Sequence, residues 1–381
     1  MDFELTQSQK DIQTAAREFA RGEFDKEVAL DLDQQNKFPG EIWKKAAGLG
    51  FTSMLIPEEY SGQELGMIEN TLVVEEFCRA DSTIGSALAL SSFGSQCLVR
   101  FGSDDLKKKF LPGVAQGNTV ASWAFQESSH TWNIREISTT ALKDGNKWQI
   151  NGRKTFVVNG GIAGFYSVLC KTDVEIGPGE PSSAIILVEA DREGVSIRNM
   201  GKKMGTRTVP TAEIVFENAR VPFSNLIGQE HKGLSHALDF FAETRILVGS
   251  QALGIAQGAF DRALAYVKQR EQFGKKIVEF QITRHKLAEM ATKIELARLI
   301  TYKAAWRYDH GRLDPEITSM AKMYAAQTAV EVADESIQLF GGYGYILDYE
   351  VERFYRDAKI TELYEGSKEM QKDIIASDLT R

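Results

Sequence analysis

The stretch after Pro222 contains one further proline, Pro315, in a chain of 381 residues. Proline breaks helix interiors because it lacks a backbone N–H and clashes with the preceding turn, so this stretch can form long helices. Pro315 follows Asp314, the order expected for an N-cap residue and the first helical residue. Apolar side chains recur at three- and four-residue steps at Leu287, Met290, Ile294 and Ala297. The pattern predicts long amphipathic helices.

The middle third has a different texture, with short β-branched and aromatic runs such as "FYSVL", "AIILV" and "AEIVF". Asn151-Gly152 lies between "KWQI" and "KTFVV" and predicts a hairpin turn. Before this region, Thr6 and Gln9 form a capping-box pattern that predicts a helix start. We predict a mainly α protein with an N-terminal helical domain (1–118), a small antiparallel β-barrel or sandwich (119–225) and a C-terminal four-helix bundle (226–381).

Composition restricts the possible partners and locations. The formal net charge is −8 and the basic residues are scattered, so the chain lacks the positive stripe that nucleic acid requires. No apolar run approaches the length of about 18 residues needed to cross a membrane, and the first residues lack a signal-peptide pattern. The three cysteines are far apart, which argues against a disulfide framework. We expect a cytoplasmic protein that binds neither nucleic acid nor membrane.

Several common sites have no support in the sequence. There is no strand-linked GxGxxG, no P-loop and no HExxH. The five histidines do not cluster at ligand spacing, so we predict no metal site.

Two stretches of the helical third carry a recognisable pattern: "REQFGKKIVEFQ" (270–281) and "QLFGGYGYILDYEVERFYRDAKITELYEGSKEMQ" (338–371). Together they resemble the acyl-CoA dehydrogenase family, the FAD enzymes that desaturate acyl-CoA thioesters at the α,β bond. "IPEEYSGQELG" (56–66) and "AEIVFENARVP" (212–222) extend the resemblance over essentially the whole chain. It implies FAD as cofactor, an acyl-CoA substrate, electron-transfer flavoprotein as acceptor, and a homotetramer or homodimer.

The resemblance also implies a catalytic base. In the family, the glutamate of the "YEG" segment takes the α-proton of the substrate, and here it is Glu365. The chemistry requires such a base because hydride can leave Cβ only if the α-proton is removed in concert. Some members instead place the glutamate directly before the arginine of the segment equivalent to "FFAETR". Here that residue is Thr244, and Glu243 lies one position away, which rotates a helical side chain by about 100°.

Further assignments follow from the same resemblance. Arg270 would reach the FAD pyrophosphate of a neighbouring subunit, since a guanidinium suits bidentate phosphate contact. Glu369 is also consistent with a simple helix cap. The full cofactor set is Phe125, Gln126, Trp132, Phe156, Val157, Val158, Arg270, Phe273, Gln281, Gln338, Gly342, Ser367 and Glu369. The substrate set is Trp132, Ala242, Arg245, Tyr364 and Gly366.

The chain departs from the family pattern at the flavin and thioester contacts. "QESSHTWN" replaces the usual "TEPGAGSD", so that Gln126 stands for a threonine and Trp132 for a serine. Val158 replaces a usual threonine or serine, and Ala242 an aspartate of some members. We expect these changes to reshape the acyl pocket for an unusual group, with Trp132 or His130 in contact with it. The alternatives are an enoyl-CoA reductase or acyl-CoA oxidase on the same fold, or a flavin-poor subunit without catalysis.

Overall fold

The structure is a computed structural model that describes residues 4–128, 136–177 and 180–380. The chain begins with helices that pack against one another and against the C-terminal part. Thr6 accepts a hydrogen bond from the backbone of Gln9 and completes the predicted capping box. The bounds are α1 Gln7–Glu23, α2 Lys26–Gln35, α3 Gly40–Gly48, α4 Met67–Ala80, α5 Ser82–Leu90, α6 Ser95–Phe101 and α7 Asp104–Ala115.

The middle part is an eight-stranded sheet within the described residues. Its strands are β1 Val120–Ala124, β2 Thr140–Asp144, β3 Lys147–Val158, β4 Ala163–Gly177, β5 Glu180–Glu189, β6 Val195–Asn199, β7 Thr211–Pro222 and β8 Leu226–Ile227. They follow the order β6-β7-β3-β2-β4-β5-β8, and β1 pairs with β4. The predicted β domain is confirmed, but a purely antiparallel sheet is wrong: β1 runs parallel to β4, and β2 meets β4 in parallel.

The predicted hairpin at Asn151-Gly152 is also wrong. Both residues lie inside the continuous strand β3, and the turn comes earlier, where Asp144 pairs with Lys147. Gly152 instead marks a bulge opposite β7 and has a φ of +147°. A Cβ on it would lie 2.5 Å from Oγ1 of Thr139, so glycine permits the close approach of this segment.

The last part contains long helices, as the scarcity of proline predicts. Asp314 caps α10, and Pro315 is its first residue. The bounds are α8 Gly233–Gln269, α9 Gln281–Asp309, α10 Pro315–Phe340, α11 Val351–Leu363 and α12 Lys368–Leu379, with the two-residue strands β9 Glu271–Gln272 and β10 Lys275–Lys276 between α8 and α9. The predicted C-terminal helical domain is confirmed, and its described residues form three long helices and two shorter ones.

Helix α8 contacts all three parts of the molecule. It packs on α4 of the N-terminal part, on α9, α10 and α11, and on strands β4 and β5. One large apolar core therefore runs through all three parts, from Ile56 and Phe165 to Phe354. Among the described residues, no helix is both long and apolar enough to cross a membrane.

Candidate active site

The site is built around a strained turn between α11 and α12. Glu365 has a φ of +55°, a conformation that costs a non-glycine residue about 1 kcal/mol or more. Gly366 follows with a φ of +93°, and a Cβ on it would lie 2.5 Å from Nε2 of Gln371. The second residue of the turn must therefore be glycine. Strain of this kind concentrates at functional sites, where the surrounding structure enforces it.

The Glu365 carboxyl group is buried, with 8% of the residue exposed. Oγ1 of Thr244, on α8, donates a hydrogen bond of 2.7 Å to Oε2. Burial raises the pKa of Glu365 to about 7, against the opposing influence of Thr244 and the positive charges of Arg245 and Lys322. A carboxyl group with a pKa near 7 suits proton abstraction at neutral pH.

This carboxyl group faces a cavity of about 510 Å³. The cavity lies where the ends of β1 and β3, helix α8 and the α11–α12 turn converge. Six of the predicted cofactor residues line it: Phe125, Gln126, Phe156, Val157, Val158 and Ser367. So do three predicted substrate residues, namely Arg245, Tyr364 and Gly366.

The loop after β1 is anchored by a buried ion pair that the sequence did not indicate. Glu127 and Lys154 are almost fully buried, and Nζ of Lys154 lies 2.7 Å from Oε1 of Glu127. Backbone N–H groups of Ser138 and Thr139 donate to the same carboxylate. Burial alone would raise the pKa of Glu127, but Lys154 and the side chains of Ser138 and Thr139 lower it to about 2. Glu127 therefore stays ionised and holds the cavity wall in place.

A second cavity of about 560 Å³ contains three further predicted cofactor residues. Arg270, Gln338 and Gly342 line it, and the guanidinium of Arg270 lies 5.5 Å from the ring centroid of Tyr343. It shares no lining residue with the Glu365 cavity among the described residues. Arg245 and Arg270 are separated by about 25 helical residues, or roughly 37 Å along α8. A single chain therefore does not bring Arg270 to Glu365.

The remaining predicted residues lie outside both cavities. Phe273 is 93% exposed, and Gln281 and Glu369 are exposed as well. Glu369 lies in the first turn of α12. Its own backbone N–H and Ser367 lower its pKa, which favours the helix-cap interpretation. Ala242 is buried in α8 and lines neither cavity. Trp132 and His130 lie outside the described residues.

A third, much smaller cavity lies beside Glu243. Glu243 and Thr244 line this space of about 20 Å³ together with residues of the N-terminal helices. Glu243 is buried, and its Oε2 lies 3.4 Å from NH1 of Arg100. Burial raises its pKa to about 7 as well. Glu243 therefore does not belong to the described lining of the Glu365 cavity, although it directly precedes Thr244 on α8.

Sequence reasoning missed two residues behind the base. Nζ of Lys322 donates to the Gly366 carbonyl at 2.6 Å, and Nε2 of Gln371 donates to the carbonyls of both Glu365 and Gly366 at 3.0 Å. Lys322 lies on the buried face of α10 with Thr318, Ala325 and Ala329. The sequence does contain a sign of this: Lys322 occupies a position of the helical repeat where the neighbouring positions on the same face carry small, uncharged residues.

The Glu365 cavity fits a flat, largely apolar ring beside a thioester. Trp123, Phe156 and Val158 form apolar walls, as is usual for cofactor sites. Nε of Arg245 is buried at the cavity without a hydrogen-bond partner among the described residues, so a polar group of a bound molecule can satisfy it. The residues present fit FAD and an acyl thioester. No group of His, Cys, Asp and Glu in the described chain is arranged to hold a metal ion.

Comparison with known proteins decides the family. Sequence models of the acyl-CoA dehydrogenase N-terminal, middle and C-terminal domains match residues 6–118, 122–219 and 231–380. The chain belongs to the acyl-CoA dehydrogenase family. Its fold is that of the family, its cofactor is FAD, and it is an oxidoreductase acting on CH–CH bonds.

The relatives of this chain include proteins named as dehydrogenases and proteins named as reductases. A probable acyl-CoA dehydrogenase of Mycobacterium tuberculosis is 38% identical over 380 residues, covering 100% of this chain and 97% of the relative. The acryloyl-CoA reductase (NADH) of Anaerotignum propionicum is 37% identical, covering 100% and 96%. A 3-(aryl)acrylate reductase of Clostridium sporogenes is also 37% identical, covering 99% and 100%.

Solved structures agree over the full chain. The butyryl-CoA dehydrogenase of Megasphaera elsdenii aligns with a TM-score of 0.95 at 33% identity and 100% coverage of both chains. A chain from a structural study of the electron transferring flavoprotein of Acidaminococcus fermentans has a TM-score of 0.95 at 37% identity, and the alignment covers 100% of both chains. A glutaryl-CoA dehydrogenase of Mycobacterium smegmatis in complex with FADH2 has a TM-score of 0.92 at 28% identity, covering 99% and 95%.

Proposed function

We propose that this member of the acyl-CoA dehydrogenase family oxidises the Cα–Cβ bond of an acyl-CoA thioester and that Glu365 removes the α-proton. The observation that carries the proposal is the Glu365 carboxyl group itself, buried in a strained turn, facing the 510 Å³ cavity, with its pKa raised to about 7. Glu127 lines the same cavity but is held ionised by Lys154. Its low pKa makes it a poor base.

The residues around Glu365 have separate tasks in this proposal. Thr244 orients the carboxylate through its hydrogen bond, and the buried guanidinium of Arg245 favours its ionised form. The end of β3, from Thr155 to Val158, and the ring of Trp123 would hold the flavin ring. When bound, FAD supplies the acceptor for the hydride that leaves Cβ.

The acyl group is where this chain is expected to differ from its relatives. Gln126 and Val158 line the cavity at positions where the family usually has a hydroxyl group, so two hydrogen bonds to the flavin or the thioester are absent or rearranged. The wall formed by 125–127 and 155–158 is therefore the feature that we propose sets an unusual acyl preference, with Trp132 as a further contributor.

The reverse reaction is the second candidate, because two relatives are named as reductases of acrylate-type substrates. The same base can donate a proton to Cα when it is protonated, and a pKa near 7 allows both roles. Direction thus depends on the electron partner. We propose electron-transfer flavoprotein as that partner, because one structural neighbour of this chain comes from a study of such a flavoprotein.

One experiment separates these directions. The purified protein is loaded with FAD and mixed anaerobically with propionyl-CoA, butyryl-CoA, cyclohexanecarbonyl-CoA and glutaryl-CoA. A dehydrogenase bleaches the flavin absorbance with at least one of them. Dithionite-reduced protein mixed with acryloyl-CoA or cinnamoyl-CoA tests the reductase direction by recovery of the absorbance. Fast reoxidation by air alone would indicate an oxidase, and no reaction in either direction would contradict the proposal.

We further propose that a second copy of the chain completes each site. Arg270 lies roughly 37 Å along α8 from Arg245, beside the exposed ring of Tyr343 and three positions before the exposed Phe273. The buried site at Glu365 therefore needs the Arg270 of another subunit for a phosphate contact. A homodimer or homotetramer provides this. The three cysteines are free and buried, which suits the cytoplasmic location we propose.

Subunit mixing tests this arrangement. Arg270→Ala and Glu365→Gln each remove one half of a shared site, so each protein alone should be inactive or nearly so. Co-expression of the two should recover about a quarter of wild-type turnover, because mixed dimers contain one site with both residues intact. No recovery in mixed oligomers verified by mass would contradict a shared site.

A further inference from the structure

A buried lysine, Lys322, contacts the turn between α11 and α12 that carries Glu365. Lys322 is only 1% exposed and lies on α10, which packs against both α11 and α12. Its ammonium group donates 2.6 Å to the Gly366 carbonyl, and no carboxylate of the described residues forms an ion pair with it. Lysine is rarely buried without such a partner, because removing its charge from water is costly.

The hydrogen bond of Lys322 is to the turn that carries Glu365. The carbonyls of Glu365 and Gly366 accept hydrogen bonds from Gln371 and Lys322, and neither of these two donors is part of the described cavity lining. These bonds oppose the relaxation of two consecutive residues with positive φ. Burial lowers the pKa of Lys322 to about 7. The negative charge of Glu365 is the largest influence that opposes this shift.

We propose that Lys322 is a positioning residue for the base: its ammonium holds the Gly366 carbonyl and thereby fixes the Glu365 carboxyl group toward the cavity. Gln371 assists by donating to both carbonyls of the turn. The inference rests on the proposed role of Glu365. It assigns Lys322 no contact with substrate or cofactor, because the residue lines neither large cavity among the described residues.

Lys322→Met tests the inference, since methionine has similar length but neither donor nor charge. Anaerobic flavin bleaching is measured with the thioester of the panel above that bleaches wild type fastest. We expect the bleaching rate constant to fall at least tenfold, because small misplacements of a reacting group have effects of this size. FAD content should be retained, and peptides covering residues 364–371 should exchange amide hydrogen faster than in wild type.

Lys203→Met is the matched control. Lys203 is a half-buried lysine that donates to the backbone carbonyls of Thr206 and Val209, and it lines neither large cavity. Its replacement should destabilise its own loop but leave the bleaching rate and the exchange of 364–371 unchanged. If Lys322→Met does not fold, Gln371→Met removes donors from the same carbonyls and should also slow bleaching.

A double replacement separates positioning from general stabilisation. If Lys322 acts through Glu365, Lys322→Met should cause no further loss in the residual bleaching of Glu365→Gln protein, since residues that act as a unit are not additive. A full additional loss would show that Lys322 acts elsewhere. The inference would be overturned if Lys322→Met bleached within twofold of wild type while Glu365→Gln remained inactive. Where Lys322→Met does not fold, the same result in Gln371→Met would overturn it. Undiminished bleaching in Glu365→Gln would overturn the proposed function instead.

Discussion

Two buried glutamates are neighbours of Thr244: Glu365 accepts its hydrogen bond, and Glu243 precedes it on α8. Their pKa values are nearly the same, but their surroundings differ. Burial raises the pKa of both Glu365 and Glu243 to about 7. Glu365 lies in a strained turn and faces a 510 Å³ cavity, whereas Glu243 lies in regular helix, beside Arg100 and a space of about 20 Å³. A raised pKa therefore reports burial, and the base is identified by the space that its carboxyl group can reach.

The largest expected effect is at Glu365. Glu365→Gln keeps the shape of the side chain but cannot accept the α-proton, so turnover should fall by about 10² to 10⁴-fold. FAD content, measured by absorbance, should be unchanged because no predicted pyrophosphate contact is altered. A variant with more than a tenth of wild-type turnover would place the base elsewhere and remove the distinction between the two glutamates.

A smaller effect is expected from Thr244→Val, which removes the hydrogen bond to Glu365 Oε2. That bond favours the ionised carboxylate, so its loss should raise the pKa of Glu365 by about one unit. Because the base must be deprotonated, bleaching should fall about fivefold at pH 7 and recover at higher pH. The acid limb of the pH–rate profile measures the shift.

Thr301→Val is the matched control for this experiment. Thr301 is also buried, and its hydroxyl has no hydrogen-bond partner within the described residues. Its replacement should leave the acid limb in place. An unmoved limb in Thr244→Val would show that the hydroxyl group does not tune the base.

The smallest kinetic effect is expected at Glu243, where Glu243→Gln should change bleaching by less than about twofold, since it does not face the large cavity. Its effect on stability should be clear. A carboxyl group whose pKa rises from 4.5 to about 7 on folding contributes stability below pH 4.5 that is lost as the pH rises through 7. The neutral variant should therefore gain up to about 3 kcal/mol at pH 8 and nothing at pH 4.5. Urea unfolding of FAD-saturated protein at both pH values checks this.

Much of the fold could be predicted from local sequence patterns. The single Pro315 after Pro222 predicts long helices, and the Asp314-Pro315 start is present as expected. The proposed base, Glu365, was predicted from the resemblance of the contiguous "YEG" segment to the family pattern. The Asn151-Gly152 hairpin failed because the same dipeptide also suits a bulge, and only the close approach to Thr139 decides between them.

The contacts behind the site were not accessible, since they join residues far apart in the chain. The bond from Thr244 to Glu365 spans 121 positions, and that from Lys322 to Gly366 spans 44. The parallel pairing of β1 with β4 likewise depends on the path of the chain rather than on either strand. Side-chain periodicity reports burial but not which distant partner a buried polar group meets.

The most direct test of the account is a single stopped-flow experiment on FAD-loaded wild type, Glu365→Gln and Glu243→Gln, mixed anaerobically with the same acyl-CoA thioester. The account predicts bleaching in wild type and in Glu243→Gln at rate constants within about twofold, and a rate at least about 10²-fold lower in Glu365→Gln. The reverse result, with Glu243→Gln slow and Glu365→Gln fast, would contradict the assignment of Glu365 as the base.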